Sequence, residues 1–276
     1  MDQEKKSQSF QRRDMTYKQV VSFVMQQEKA GNFLWMLGED RAIETPLLQY
    51  QETDWEFLKR ISSHFNGKLI ADLKTGKPDF FLGMCYGKRR EAEECEIVGL
   101  GIPSAYFEKG CYRAGLPRSQ SFCLEVRTKR NWQMGDSILY KGKSYQVFER
   151  KIVYESGELF CTYYLGARGM YYQERIYAAN LAGARLEGTI RKCEGESVYL
   201  QLDIDAEERA EYPWDWIPET NNLSYCMPEI GTKAVLYLPT REEKDGQVIL
   251  SAIHNEKKNI MKIRKIENFL QRIRRG

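Results

Sequence analysis

The acidic residues of this chain are the first whose spacing suggests chemistry. Asp203 and Asp205 stand two residues apart at the predicted end of a strand, shortly before Glu207 and Glu208. Carboxylate oxygens at this spacing are able to hold a hard cation. A solvated acidic loop has the same composition, and we favour that interpretation, so no metal site is predicted here.

Three further carboxylates, those of Glu52, Asp54 and Glu56, surround the predicted start of a helix. Negative charge is favourable there because the first backbone N–H groups of a helix carry partial positive charge. We therefore interpret them as stabilising the helix rather than as an acid/base pair. Two carboxylates from distant parts of a chain are able to converge in a glycosidase, so a cell-wall hydrolase stays open as an alternative, although no pair is nominated.

Ligands for a transition metal are few. The histidines are His64 and His254, and the seven cysteines lie at positions 85, 95, 111, 123, 161, 193 and 226. Zinc sites draw their ligands in closely spaced pairs, whereas this chain contains no CxxC pair. Scattered cysteines without a signal peptide indicate reduced, mostly buried thiols. We expect neither a metal nor another cofactor.

Motifs of nucleophilic catalysis and nucleotide binding are missing from the sequence. GxSxG, HExxH, GxxxxGK[ST] and GxGxxG do not occur, and Gly99-Leu100-Gly101 lacks the third glycine and the helix of a phosphate-binding loop. We therefore predict that the protein is not an enzyme.

Four aromatic residues suggest a platform on which nucleic-acid bases could stack. Arg209 is the single basic residue between positions 206 and 229, where acidic residues predominate, so a basic lining is missing. Single-stranded nucleic-acid binding stays open only as a second alternative. The aromatic residues are Trp214, Trp216, Tyr225 and Tyr237.

Composition indicates a globular protein of two or three domains. The 276 residues are 42% hydrophobic and 29% charged, with a net charge of +3. Residues 256–276 carry eight Lys/Arg against two Glu, so residues 1–255 are at −3 and only the tail is basic. We find no apolar run long enough to span a bilayer and no apolar segment after the N-terminus. We expect cytoplasmic assembly without stable membrane insertion.

The first 67 residues are predicted to hold a polar leader and two helices. Residues 1–13 are polar and are interpreted as a disordered leader or linker. One helix starts at Asp14 or Thr16, both good N-caps, with apolar residues at helical spacing up to Met25. A second starts at the capping box Thr53-x-x-Glu56 and stops at Asn66-Gly67.

Strand patterns dominate the rest of the chain and predict a mainly β fold. Residues 68–181 contain short strands with turn signals every 8 to 12 residues, which indicates a β-barrel domain. Residues 182–255 contain five strands and fit a small oligonucleotide-binding-type (OB) barrel. The basic tail 256–276 carries Ile263, Ile266, Leu270 and Ile273 at heptad spacing.

Three segments carry a resemblance to the hub–spike proteins of phage tails and of contractile and type VI injection systems, the VgrG and phage late-control family. A "QY-x-E-[ST]-D-[WFL]-x-FL-x-R" pattern at the hub helix is similar to residues 49–60, a "GD-x-I-x-YKGK-x-Y-x-V" pattern to residues 135–147, and a "CMPE-hydrophobic-G" turn to residues 226–231. The matching residues are Tyr50, Asp54, Trp55, Phe57, Leu58, Gly135, Asp136, Cys226, Met227, Pro228, Glu229 and Gly231.

The resemblance implies a structural baseplate hub that is a homotrimer and joins the tail tube to the central spike. Its partners would be itself, tail-tube proteins and spike or baseplate proteins, and it would be incorporated into a phage tail or injection-system particle. Two departures separate the chain from the family. Members usually begin with another barrel and continue into a β-helical spike, whereas here a short leader comes first and a basic tail comes last.

Overall fold

The fold was analysed in a computed structural model, which describes residues 2–28, 31–72, 76–77, 79–92, 95–218 and 227–250. Strands outnumber α-helices sixteen to three among the described residues, so the predicted mainly β fold is confirmed. The described α-helices are α1 Tyr17–Glu28, α2 Asp54–Ser63 and α3 Ala105–Glu108. The described strands are, in chain order, β1 Lys5–Phe10, β2 Phe33–Met36, β3 Leu47–Thr53, β4 Leu69–Ala71, β5 Phe80–Gly83, β6 Arg89–Glu91, β7 Glu96–Gly101, β8 Cys123–Thr128, β9 Ser137–Tyr140, β10 Lys143–Glu155, β11 Glu158–Gly166, β12 Arg185–Glu194, β13 Ser197–Leu202, β14 Pro213–Trp216, β15 Lys233–Tyr237 and β16 Gln247–Leu250.

The chain forms two compact units. We call Val21–Asp40 together with Trp55–Ile176 the sheet unit. The barrel unit consists of Asp2–Val20, Arg41–Asp54 and the chain from Tyr177 onwards. Both units are therefore assembled from segments that are far apart in the sequence.

The sheet unit is built on a six-stranded sheet in the order β6-β9-β10-β11-β8-β7. The β-barrel expected for residues 68–181 is an open half-barrel, with β6 and β7 at its two edges. Side chains alternate across these strands, as the period of 2 requires, so Val126 and Ile138 are buried beside Tyr163. A smaller sheet in the order β2-β5-β4 belongs to the same unit, and β4 pairs antiparallel with β5.

The barrel unit contains a closed five-stranded barrel in the order β12-β13-β14-β16-β15. Apolar side chains alternate along β13, since Val198, Leu200 and Leu202 are fully buried in the barrel core. The predicted strand after Gly231 is β15, which lies between β12 and β16 and buries Ala234 and Leu236. Parallel pairing of β14 with β16 closes the barrel.

The polar N-terminal segment is a strand rather than a disordered leader. β1 pairs antiparallel with β3 in the barrel unit, and Ser9 and Gln11 are almost completely buried. The Gln11 side chain donates to the carbonyl of Leu200 and accepts a hydrogen bond from the indole of Trp214. Buried polar residues are stable where they find such partners, and a reading of local sequence could not identify partners some 190 residues away.

The start of α1 and the end of α2 carry the predicted signals. At the start of α1, the Thr16 N–H donates to Gln19 Oε1 over 2.8 Å, and the Gln19 N–H donates to Thr16 Oγ1 over 3.3 Å. This is a capping box, and it selects Thr16 over Asp14 as the N-cap. After α2, Asn66 adopts a positive φ of 54° and the Gly67 N–H donates to the carbonyl of Ser62.

Candidate functional site

The motif at the start of α2 forms a buried polar network inside the barrel unit. Asp54 Oδ2 accepts a 2.6 Å hydrogen bond from the Lys6 ammonium, and its Oδ1 accepts one of 2.8 Å from Gln49 Nε2. The Gln49 carbonyl oxygen in turn accepts from Gln8 Nε2 over 2.7 Å. Asp54 and Gln49 are both 0% exposed. The carboxylate therefore joins β1, β3 and the first residue of α2, in addition to the helix-end role expected from the sequence.

The apolar members of the same motif are packing residues. Tyr50 is half-buried against the barrel core. In the sheet unit, the Trp55 ring meets the ring of Phe80 edge-on, with 5.9 Å between centroids, and Phe57 and Leu58 are fully buried. These side chains contribute packing within their own units.

Gly135 and Asp136 fix the conformation of a tight loop in the sheet unit. Gly135 has a φ of +82°, and a Cβ at this position would lie 2.1 Å from the carbonyl oxygen of Cys85. Asp136 is 2% exposed, and its carboxylate accepts hydrogen bonds from the backbone N–H groups of Lys88 and Gln133 and from the Arg90 guanidinium. A buried carboxylate with three donors holds together the segments that supply those donors.

The turn that precedes β15 is a backbone clasp on the barrel. Met227 and Pro228 are half-buried, whereas Glu229 is exposed, and Cys226 lies outside the described residues. Gly231 has a φ of +85°, and its N–H donates to the carbonyl of Ile190 over 2.8 Å. Since Met227 also packs against the barrel core, the turn secures the approach of β15 to β12.

The acidic pair at the end of β13 is split between two partners. Asp203 accepts hydrogen bonds of 2.7 and 2.9 Å from the Lys233 ammonium. The Asp205 side chain is buried, and its carboxylate accepts from the backbone N–H of Ser9 over 2.6 Å and from the Ser9 hydroxyl. The solvated-loop interpretation is therefore wrong for Asp205. Burial raises the pKa of this carboxyl, although its hydrogen bonds with Ser9 and the charge of Arg209 act in the opposite direction.

The aromatic residues expected on the barrel do not form an exposed platform in the part of the chain that the structure describes. Trp214 is 1% exposed and belongs to the barrel core, and Trp216 is half-buried against the same core. Tyr237 is half-buried, and Tyr225 lies outside the described residues. Base stacking requires an accessible ring face, so this geometry does not favour nucleic-acid binding.

The potential metal ligands remain dispersed. Within residues 2–28, 31–72, 76–77, 79–92, 95–218 and 227–250, no three His, Cys, Asp or Glu side chains converge on one point. The six cysteines of these ranges are free thiols, and four of them are buried. Burial raises the pKa of the Cys123 thiol to about 12. The helices in the same ranges are too short or too polar to cross a bilayer.

The most conspicuous surface feature is a two-stranded ribbon in the sheet unit, residues 150–160, formed by the ends of β10 and β11. β9 pairs with β10 at residues 143–146, and β8 pairs with β11 at residues 161–166, so the ribbon extends beyond both neighbours. Tyr154 lies opposite Leu159, and Ile152 is on the same face. These three side chains are 73%, 56% and 52% exposed.

A second exposed apolar group lies at the edge of the same sheet. The edge strand β7 exposes Ile97, Val98 and Leu100, and Phe122 is exposed just before β8. Edge strands offer unpaired backbone N–H and C=O groups to any other chain.

Comparison with known proteins finds similarity at the level of solved structures alone. No protein-family profile and no curated protein sequence matches the chain. A 43 kDa tail protein of prophage MuSo2 from Shewanella oneidensis aligns at a TM-score of 0.44 and 8% identity, over 59% of this chain and 65% of that one. A tail protein from Neisseria meningitidis MC58 aligns at a TM-score of 0.40 and 11% identity, over 60% of this chain and 71% of that one.

Proposed function

We propose that the chain is a non-enzymatic baseplate hub component of a phage tail or of a contractile, type VI-like injection system, in which it joins the tail tube to the central spike. The observation that carries the proposal is the exposed apolar face of the ribbon. Large apolar side chains grouped on a soluble surface mark sites of protein association. A two-stranded ribbon is also only marginally stable on its own in water, so a partner on this face would stabilise it.

The roles of the motif residues support an assembly function. Asp54 and Asp136 are buried and accept hydrogen bonds from several protein donors, and Gly135 and Gly231 hold positive-φ turns. Such residues fix the shape of a scaffold, and both carboxylates are engaged by donors from the protein itself. The same segments carry the resemblance to hub–spike proteins. A residue that fixes a backbone shape is needed in every protein that keeps this shape, and this gives the resemblance a physical basis.

The expected partners follow from this proposal. Copies of the chain would associate as a homotrimer through the sheet unit, and tail-tube and spike proteins would bind the assembled ring. The same proposal requires no cofactor, nucleic acid or stable membrane insertion, and it places the protein in a particle assembled in the cytoplasm.

The ribbon offers a matched pair of variants for testing the proposal. The double variant Ile152→Thr with Leu159→Thr removes two apolar side chains from one face of the ribbon. Threonine is common in strands, so both positions keep a strand-compatible residue. Val153→Thr makes the same kind of change on the opposite face, where Val153 is 49% exposed. Mass is measured by light scattering at micromolar concentration, with circular dichroism as a check on folding.

We expect the wild-type chain and Val153→Thr to be trimeric and the double variant to dissociate. If the double variant and Val153→Thr are both folded and have equal masses, the ribbon is not part of the interface. A wild-type chain that is monomeric at every concentration would contradict the self-assembly part of the proposal.

A further inference from the structure

Lys68 occupies an unusual position in the sheet unit, immediately before β4. Its side chain lines a cleft of about 470 Å³ in which it is the single charged lining residue. The other side chains are mainly apolar or aromatic. They are Met36, Leu37, Phe65, Asn66, Ile70, Met84, Leu116, Tyr171 and Tyr172, with Gly38, Gly67 and Gly83 adding backbone.

The amine of Lys68 is held in place without an ion pair. Nζ donates a 2.8 Å hydrogen bond to the carbonyl oxygen of Met170. It also lies 5.9 Å from the ring centroid of Phe148 and 5.8 Å from that of Tyr171. Among the described residues no carboxylate forms a salt bridge with it. One carbonyl and two ring faces therefore replace the water that would surround an exposed ammonium.

The charged and titratable groups around Lys68 add to this effect. Burial is the main cause that lowers its pKa to about 7, and the nearby ammonium of Lys109 lowers it further. Cys111 and Glu149 act in the opposite direction but do not compensate. At neutral pH a much larger share of the molecules therefore carries a neutral amine here than at an ordinary lysine, which has a pKa near 10.4 and is almost entirely protonated.

We propose that Lys68 is a covalent modification site, where its amine condenses with apolar aldehydes bound in the cleft to form an imine. Nucleophilic lysines are produced by the two features found here, an apolar surrounding and a second cation nearby. The uncharged lining selects an aldehyde with a hydrocarbon chain over a polar or anionic one. This inference is independent of the proposed assembly function.

The reaction balances without an oxidant or reductant. The lone pair of the neutral amine attacks the carbonyl carbon, and the carbonyl π electrons move to oxygen. The resulting carbinolamine loses one water molecule, which takes the former carbonyl oxygen and both amine hydrogens. A carbon–nitrogen double bond remains, and a proton on the nitrogen would make it an iminium.

The test uses the intact chain with hexanal as the apolar probe and glycolaldehyde as the polar one. Cyanoborohydride reduces the imine to a stable secondary amine, and peptide mapping by mass spectrometry measures the labelling rate at each lysine. Exposed Lys141 serves as the internal reference. We expect hexanal to label Lys68 at least about tenfold faster than Lys141 at pH 7, with a midpoint near pH 7 in the rate profile.

Two variants distinguish the proposed cause from accidental reactivity. Lys109→Met removes the neighbouring cation, so the midpoint at Lys68 is expected to move to higher pH while the fold is retained. Lys68→Arg is expected to abolish labelling in the corresponding peptide. Labelling of Lys68 no faster than that of Lys141, or an unchanged midpoint in folded Lys109→Met, would overturn the reactive-amine assignment. Glycolaldehyde reacting at Lys68 as fast as hexanal would overturn the assignment of apolar aldehydes.

Discussion

At the residue scale, the carboxylates that attract attention in the sequence are anchors. Asp54 receives a lysine and a glutamine, and Asp136 receives two backbone N–H groups and an arginine. A buried carboxylate with several donors fixes the segments that supply them. The donors Lys6 and Lys88 come from residues 48 positions away in each case, so the sequence revealed the acids but not their partners.

Removing the Asp54 carboxylate should destabilise the barrel unit. In Asp54→Ala, the amide of Gln49 loses an acceptor in a fully buried position, and leaving such a donor unsatisfied costs about 1–3 kcal/mol. Asp14→Ala is the matched control, because the Asp14 side chain is 80% exposed and its ion pair with Arg12 is at the surface. Urea denaturation followed by fluorescence measures both. Equal midpoints for the two variants would contradict the network's role.

The pH dependence of stability should carry the signature of Lys68. Its pKa is about 7 in the folded protein and near 10.5 when unfolded, so between these values the unfolded chain binds more protons. The free energy of unfolding should therefore rise from pH 7 towards pH 10.5, and the stabilisation is lost as pH falls through 7. Lys68→Met should flatten that part of the profile. Denaturant titrations at several pH values measure it, and identical profiles for the two proteins would contradict the assignment.

At the scale of elements, two glycines in neighbouring turns allow the effect of backbone strain to be distinguished from the effect of steric crowding. Gly135 and Gly142 both have positive φ, of +82° and +75°. A Cβ at Gly135 would collide with the carbonyl of Cys85, whereas Gly142 has no atom within 4 Å of that position. The loop that Asp136 anchors is therefore more sensitive to a methyl group than the hairpin turn after β9.

We expect Gly142→Ala to cost about 1 kcal/mol, the ordinary price of a left-handed conformation for a residue with a Cβ. Gly135→Ala should cost at least about 1–3 kcal/mol more, because the backbone must also shift to relieve the overlap. Thermal unfolding of both variants under one buffer condition is the measurement. A Gly135→Ala variant as stable as Gly142→Ala would show that the Cys85 segment moves freely.

The predictable elements were those with a regular apolar pattern. The strands β9, β13 and β15 and both long helices follow from period and caps alone. β1 did not, because the sequence Lys5–Phe10 is mostly polar and is buried through hydrogen bonds to distant residues. The parallel closure of β14 on β16 was also beyond local reasoning, since parallel pairing leaves no hairpin turn in the sequence. The β-barrel expected for residues 68–181 is a half-barrel, and local sequence does not reveal this because closure depends on long-range pairing.

At the scale of the whole molecule, the alternative of a cell-wall hydrolase makes a distinct prediction. Asp54, Asp136 and Asp205 are occupied by protein donors, and we expect no turnover of peptidoglycan above the buffer rate. Turbidity of a cell-wall suspension and release of soluble fragments measure this directly. Reproducible lysis that one carboxylate substitution abolishes would contradict the structural role and favour the hydrolase.

The contact between Ser9 and Asp205 constrains the order in which parts of the nascent chain fold on the ribosome. The two residues are 196 positions apart, and a ribosome adding about 5–20 residues per second needs roughly 10–40 s to make Asp205 after Ser9. During that interval Ser9 lacks this partner, and β16, which closes the barrel, is made later still. The residues of the sheet unit, which end at Ile176, are all synthesised before Asp205. Translation therefore permits the sheet unit to fold before Ser9 of β1 gains its contact with Asp205.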